Sequence, residues 1–340
     1  MTMNSVLPDS TCPWYPWQQQ LWGQLQGQLT RKKMPHALLM SGIQGIGKSH
    51  FAQEWAMRLL CLDPLPGELS PGCGQCKSCL LQLAGNHPDL IGLEPLEDSS
   101  SIVIDQVREA GDRLVQTSQL GGNKVILLQL AEDMNLNAAN ALLKNLEEPT
   151  KDTFFILVSN QPGRIAATVR SRCHHIRMPM PGFREASDWL SSLLHDKEKA
   201  ELLLCITGGA PLRAQQLAEK ERFEHRQQVM EGLVALCDGK VSYSEIAGRW
   251  EPLDLLVTLD WVRLWVADLI KLAVTGSDAA VRNRDMLNHL EKIADKSAPD
   301  KLYLLDDRVF ELKRALFSGH NPNKILLLEE VLLRWQQCVN

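Results

Sequence analysis

Val125-Ile126-Leu127-Leu128 and Phe154-Phe155-Ile156-Leu157-Val158 are unbroken apolar runs bounded by polar residues. Runs of this kind predict strands buried on both faces. Residues 36–40 and 89–93 predict two more strands, and residues 174–178 a fifth. Between them the apolar residues recur at helical spacing. The pattern predicts helices near 18–30, over 50–60, from about 102 to 116, over 137–146 and near 164–170. Pro149 stops the fourth of these. Strands alternating with helices predict an α/β unit, a parallel sheet with helices on both faces. Met178-Pro179-Met180-Pro181-Gly182 is the first clear break. Beyond it no strand pattern recurs. Residues 183–220 predict a small helical bundle. Residues 222–340 predict a larger helical block, whose Leu/Trp-rich faces at 255–272, 286–293, 302–317 and 325–335 read as core.

Chemistry enters between the first strand and its helix. Gly42-Ile43-Gln44-Gly45-Ile46-Gly47-Lys48-Ser49 fits G-x-x-x-x-G-K-[ST], the phosphate-binding loop. Gly42, Gly45 and Gly47 let the backbone curl so that N–H groups face phosphate oxygens, and the helix N-terminus adds favourable potential. Lys48 is placed to reach the β- and γ-phosphates and Ser49 to help hold Mg²⁺, so ATP or ADP is the expected ligand. An accidental glycine-rich turn would not fill all four fixed positions between a strand and a helix.

A second motif follows that helix. Cys73-Gly74-Gln75-Cys76-Lys77-Ser78-Cys79 contains two overlapping C-x-x-C steps, with Cys61 upstream. Four thiolates make a closed tetrahedral zinc site with a structural role, here a module over 61–79. His87 competes with Cys61 for the fourth position. Cys12, Cys173, Cys205, Cys237 and Cys338 are scattered and read as packing residues.

Composition narrows the class. The 340 residues carry a net charge of −5, which argues against a stand-alone basic nucleic-acid binder. No apolar run is long enough to span a membrane. No signal-peptide pattern opens the chain. A cytoplasmic location is expected, with reduced cysteines.

A hydrolysing phosphate-loop protein needs acids at the end of a neighbouring buried strand, to hold Mg²⁺ and orient water. After residues 125–128 stand Gln129-Leu130, not Asp-Glu. Glu132 and Asp133 come later and read as residues that cap and solvate the turn. The expectation is nucleotide binding without hydrolysis. Ser159 and Asn160, after the 153–158 strand, are either phosphate sensors or turn residues.

The phosphate loop, the four-cysteine insertion, Asn140-Ala141-Leu142-Leu143-Lys144-Asn145-Leu146-Glu147-Glu148-Pro149 and Ser171-Arg172-Cys173 together resemble bacterial clamp-loader subunits of the AAA+ class. Asn321-Pro322-Asn323, followed by Leu326-Leu327-Leu328-Glu329-Glu330, is similar to the last helix of that family's collar. The resemblance implies a RecA-like AAA+ domain over 1–179 carrying the zinc module, a small helical lid over 180–221, and an all-α collar over 222–340 that joins subunits into a ring-like assembly. It implies motor (gamma/tau) and delta subunits as partners, and the sliding clamp and primer-template DNA reached through the assembly.

Motor subunits carry Asp-Glu where this chain has Gln129-Leu130, and Gly-Ser-x-Arg where it has Gly209-Ala210-Pro211-Leu212-Arg213. Arg213 stands one step, about 100° of helix, from the sensor position. They also extend, in a long form, into a polymerase-binding region. The pattern here resembles a non-motor subunit whose Arg172 acts in trans as an arginine finger on a neighbour's γ-phosphate, with Arg170 an alternative and a surface ion pair the plainer reading. Two other readings are an active ATPase motor subunit, which needs Glu132 or Asp133 to replace the missing acids, and a zinc-containing nucleoside monophosphate kinase. The last leaves the C-terminal helices unexplained.

Overall fold

A computed structural model describes residues 14–64, 70–96, 101–276, 280–317 and 322–339. Cys12, Asn321 and residues 65–69 of the cysteine module lie outside the described residues. The chain divides into two compact units, Met1–Ala186 and Ser187–Asn340.

The first unit is a five-stranded parallel sheet of order β2-β3-β4-β1-β5. Its strands are β1 (Ala37–Ser41), β2 (Leu90–Leu93), β3 (Lys124–Leu128), β4 (Thr153–Ser159) and β5 (His174–Arg177). The helices are α1 (Gln19–Thr30), α2 (Lys48–Leu60), α3 (Lys77–Leu83), α4 (Ile104–Val115), α5 (Leu136–Glu147) and α6 (Ala167–Arg170). The central strands alternate between two cores, because successive side chains leave a strand on opposite faces. Leu39, Ile126, Leu128, Phe155 and Leu157 pack with Val107, Leu114, Leu142 and Leu146 of α4 and α5. Leu38, Met40, Val125, Leu127, Ile156 and Val158 pack with Trp22, Phe51 and Trp55 of α1 and α2. The apolar runs in the sequence are therefore continuous because both faces are covered. Helix α3 had no signal in the periodicity: it is short, and Cys76 at its N-cap accepts from the Cys79 N–H.

The phosphate loop leaves β1, the strand that parts β4 from β5. The ends of β1, β3 and β4 lie side by side, Leu39 opposite Leu157 and Leu128 opposite Leu157 in register. The carboxyl ends of parallel strands are where such sheets bind ligands.

The unit boundary falls inside α7 (Phe183–Leu194). The second unit is helical: α8 (Lys197–Ile206), α9 (Pro211–Leu217), α10 (Lys220–Cys237), α11 (Tyr243–Trp250), α12 (Leu255–Thr275), α13 (Leu287–Ala294), α14 (Pro299–Phe317) and α15 (Lys324–Val339). Among the described residues it holds no strand. Its interior contains a fully buried cation, Arg226, whose Nη1 and Nη2 donate to Asp285 Oδ2 at 2.6 Å and Asn283 Oδ1 at 2.7 Å. Asp268, also fully buried, accepts from the backbone N–H groups of Arg282 and Asn283. This network fixes the segment before α13 against α10 and α12. No helix among the described residues is long and apolar enough to cross a membrane.

Candidate nucleotide site and metal centre

Residues 42–47 form the loop between β1 and α2. Gly45 and Gly47 have φ of 87° and 85°, the left-handed region that glycine occupies without strain. The loop is braced from the N-terminal segment. Trp17 Nε1 and Gln18 Nε2 each donate to the Ile46 carbonyl at 3.0 Å, and Gln18 Nε2 also to the Gly47 carbonyl at 3.1 Å. The peptide unit is planar and trans, so a carbonyl held on one side turns the following N–H to the other. The brace thus aims the Gly47 and Lys48 N–H groups away from the N-terminal segment. Tyr15, fully buried, lays its ring on Gly47 and stacks on Trp17 at 5.0 Å between centroids. The Pro/Trp-rich segment just ahead of α1 is therefore part of the loop's support.

Lys48 is buried. Its Nζ donates to the Ile43 carbonyl and to Asn160 Oδ1, both at 2.7 Å. Burial pulls its pKa down to about 8, against the nearby Glu132 carboxylate, which raises it. Ser49 is exposed in the first turn of α2. Asn160 sits at the loop, whereas Ser159 Oγ accepts from the Gln161 N–H in the turn after β4.

The end of β3 departs from expectation. Gln129 N still donates to the Leu93 carbonyl, but Leu130 adopts φ of 53°, and Ala131–Asp133 make one 3-10 turn. The reversal brings Glu132 back to the strand ends. It neither caps nor solvates the turn: it is 6% exposed, and its Oε1 accepts from the Asn160 N–H at 2.9 Å. Its Oε2 is buried without a hydrogen-bond partner among the described residues. Capping passes to Asn135, which accepts from the Ala138 N–H at the start of α5. Asp133 faces Arg164 at 3.4 Å; burial first and then Glu132 raise its pKa, against Arg164.

The sulfurs of Cys61, Cys73, Cys76 and Cys79 all lie within 4.8 Å of one another. Backbone N–H groups point at them: Cys73 N to Cys61 Sγ at 3.3 Å, Cys76 N to Cys73 Sγ at 3.2 Å, Cys79 N to Cys76 Sγ at 3.4 Å. Such donors stabilise thiolates, the form that ligates metal. At Cys76 burial pushes upward, yet hydrogen bonds, led by the Cys79 and Leu62 N–H groups, bring the thiol to about 6. This donor set fits a tetrahedral Cys₄ metal centre. His87 is not among the donors. Its Nδ1 accepts from the Asp89 N–H at 3.1 Å, which makes Nε2 the donor to Ser78 Oγ at 2.8 Å. Both ring nitrogens are engaged, and burial lowers its pKa.

In Ser171-Arg172-Cys173 each residue has a separate place. Cys173 is buried in the α4/α5 core. Ser171 Oγ donates to the Thr168 carbonyl at 3.1 Å. Arg172 is on the surface, where Nη1 donates to Thr168 O at 2.9 Å and Nη2 pairs with the carboxylate of Glu147 at the end of α5. Arg170 instead turns back to the Pro162 carbonyl at 3.1 Å. In the second unit, Gly208 and Gly209 both have positive φ before α9. Leu212 fills the second helical position, and Arg213 is drawn to Asp260 at 3.5 Å. Cys237 accepts from Trp335 Nε1, and Cys338 donates to the Arg334 carbonyl.

A family model described as DNA polymerase III, delta subunit, matches residues 17–181, and one described as DNA polymerase III, delta subunit, C terminal, matches residues 220–337. The chain is 41% identical over 323 residues to the DNA polymerase III subunit delta' of Pseudomonas aeruginosa, covering 94% of this chain and 97% of that one. It is 34% identical over 342 residues to the subunit delta' of Yersinia pestis, covering 96% of each. A solved structure of a DNA polymerase III gamma subunit-related protein from Thermotoga maritima aligns over 93% of this chain and 100% of that one, at 16% identity and a TM-score of 0.42.

Proposed function

The chain belongs to the DNA polymerase III delta-prime family, the clamp-loader subunits of that name, and from that premise we propose how its sites are used. The phosphate loop holds ATP or ADP with Mg²⁺ through Gly42, Gly45, Gly47, Lys48 and Ser49, without turning it over. Cys61, Cys73, Cys76 and Cys79 hold one structural zinc. Arg172 works in trans on the ATP of a neighbouring motor (gamma/tau) subunit. The delta subunit is a further partner. The assembly carries the sliding clamp to primed DNA, and any phosphate contacts to that DNA are shared along it. In this reading 1–179 is the nucleotide-binding-type domain, 180–221 the lid and 222–340 the oligomerising collar.

The observation that carries the reading is the pairing of an ordered phosphate cradle with a β3 end whose own residues, Gln129 and Leu130, supply neither a base nor negative charge for a metal. Arg172 supports the trans role because its guanidinium is at the surface, held among the described residues by Thr168 and Glu147. A finger in GTPase systems is worth roughly 10³–10⁵ in rate. The test is reconstitution with motor and delta subunits. Arg172→Ala is expected to leave the chain folded and incorporated while the ATPase of the assembly and clamp loading fall. Unchanged turnover and loading would refute the trans role.

One observation favours a second reading, an active ATPase: Glu132 is buried beside Lys48. Single-turnover hydrolysis by the purified protein separates the two. The nucleoside monophosphate kinase reading ends with the family match.

A further inference from the structure

We infer that Glu132 is the carboxylate that holds the divalent cation accompanying a nucleotide in the phosphate loop, in place of the strand-end acids that Gln129 and Leu130 do not supply. The inference rests on the proposal that the loop binds a nucleotide, and adds which residue makes that binding cation-dependent.

Three features carry it. The first is placement. Leu130 in the left-handed region and the 3-10 turn Ala131–Asp133 fold the chain back. Ile102 N donates to the Asp133 carbonyl at 2.9 Å and Asn135 N to the Ile102 carbonyl at 3.1 Å, which fixes the reversal from a neighbouring segment. A residue well past the strand end in sequence is thereby brought to it in space. The second is the state of the carboxylate. Oε1 is anchored on the Asn160 N–H, while Oε2 is buried without a partner among the described residues. Buried polar atoms are almost always satisfied, so an orphaned carboxylate oxygen signals a missing donor or cation. Lys48 does not fill the place: its ammonium is bonded to Ile43 O and Asn160 Oδ1. Asp133 does not compete, since it faces Arg164.

The third feature is electrostatic. A phosphate seated at Lys48 brings negative charge toward a carboxylate bonded to the same asparagine. In a site shielded from water those like charges repel strongly. A divalent cation between them converts the repulsion into attraction, and oxygen donors of this type are what Mg²⁺ takes. Without the cation, Glu132 opposes nucleotide binding. With it, Glu132 favours binding.

The opposite signs give the test. Binding of a fluorescent ADP analogue to the full chain is measured in MgCl₂ and in EDTA, for wild type, Glu132→Gln and Lys48→Ala, with thermal unfolding of each without ligand. Glutamine keeps an oxygen for the Asn160 N–H, so Glu132→Gln is expected to melt as wild type does. Magnesium is expected to tighten wild-type binding about tenfold or more, the usual effect of a metal-supporting residue. In Glu132→Gln that gain disappears, and affinity in EDTA equals or exceeds that of wild type. Lys48→Ala binds weakly in both conditions. Wild-type binding indifferent to magnesium, or a gain that survives in Glu132→Gln, overturns the role of Glu132 alone. An equal loss in MgCl₂ and EDTA assigns Glu132 to positioning Asn160 and also overturns it. No binding by wild type in either condition overturns the nucleotide reading and this inference with it.

Discussion

Replacing Gly47 by alanine tests the brace between the N-terminal segment and the phosphate loop. Two costs add. An L-residue at φ of 85° is strained by about 1–2 kcal/mol. The new Cβ would also lie 2.4 Å from Tyr15 Cδ2, 2.6 Å from Cε2 and 2.8 Å from Gln18 Nε2. The ring cannot simply withdraw. It is fully buried and stacked on Trp17, whose indole N–H is bonded to Ile46. Overpacking of this kind adds about 1–3 kcal/mol. The first unit should therefore lose about 2–5 kcal/mol, read from hydrogen exchange at the amides of β1 and β4, which reports on that unit without assuming that the whole chain unfolds together. Gly23→Ala is the matched control. Gly23 lies inside α1 with nothing within 4 Å of its missing Cβ, and there the same substitution should stabilise by about 0.5–1 kcal/mol. If Gly47→Ala stays within about 1 kcal/mol of wild type, Tyr15 is not packed as described and the brace is wrong.

Raising the pH should weaken ADP binding, because Lys48 loses its proton as pH passes about 8 and a bound phosphate favours the charged form. By linkage, affinity falls up to about tenfold per unit between the free and bound pKa values; titration from pH 7 to 9.5 checks it, and a flat profile contradicts the placement of Lys48. Chelation after mild denaturation, or Cys76→Ser, should release zinc and raise hydrogen exchange in α3 while β3 and β4 stay protected; metal analysis of reduced protein should find one zinc per chain. Arg226→Met should cost the second unit about 1–3 kcal/mol in urea unfolding, since it leaves the fully buried Asn283 Oδ1 without its donor.

Much of the fold is legible in the sequence because its signals are local. Each central strand of the sheet is a run of a few residues whose composition reports burial on both faces, and each long helix repeats its own stripe. The phosphate loop and the C-x-x-C steps are equally local, since their chemistry needs fixed spacing along one stretch. Gly45 and Gly47 adopt the positive φ such a loop needs. Cys73, Cys76 and Cys79 converge as their spacing implies.

What the sequence left open was decided by residues far apart in it. Whether His87 or Cys61 completes the sulfur cluster turned on Ser78 and Asp89 claiming both imidazole nitrogens. Gly47 is legible as a phosphate-loop glycine, but the side chain it must avoid is Tyr15, delivered by a segment that carries no regular pattern. Whether Arg172 is merely part of a surface pair cannot be read from three residues; its in-chain partner Glu147 comes from the end of another helix. Glu132 is the sharpest case. Position along the chain puts it past the strand end, in a turn where an acid should meet water. A left-handed leucine and a pairing with Ile102 return it to the buried strand ends beside Lys48 and Asn160. Spacing fixes a side chain's neighbours only while the backbone stays regular; where the backbone reverses, tertiary packing decides which charge faces which.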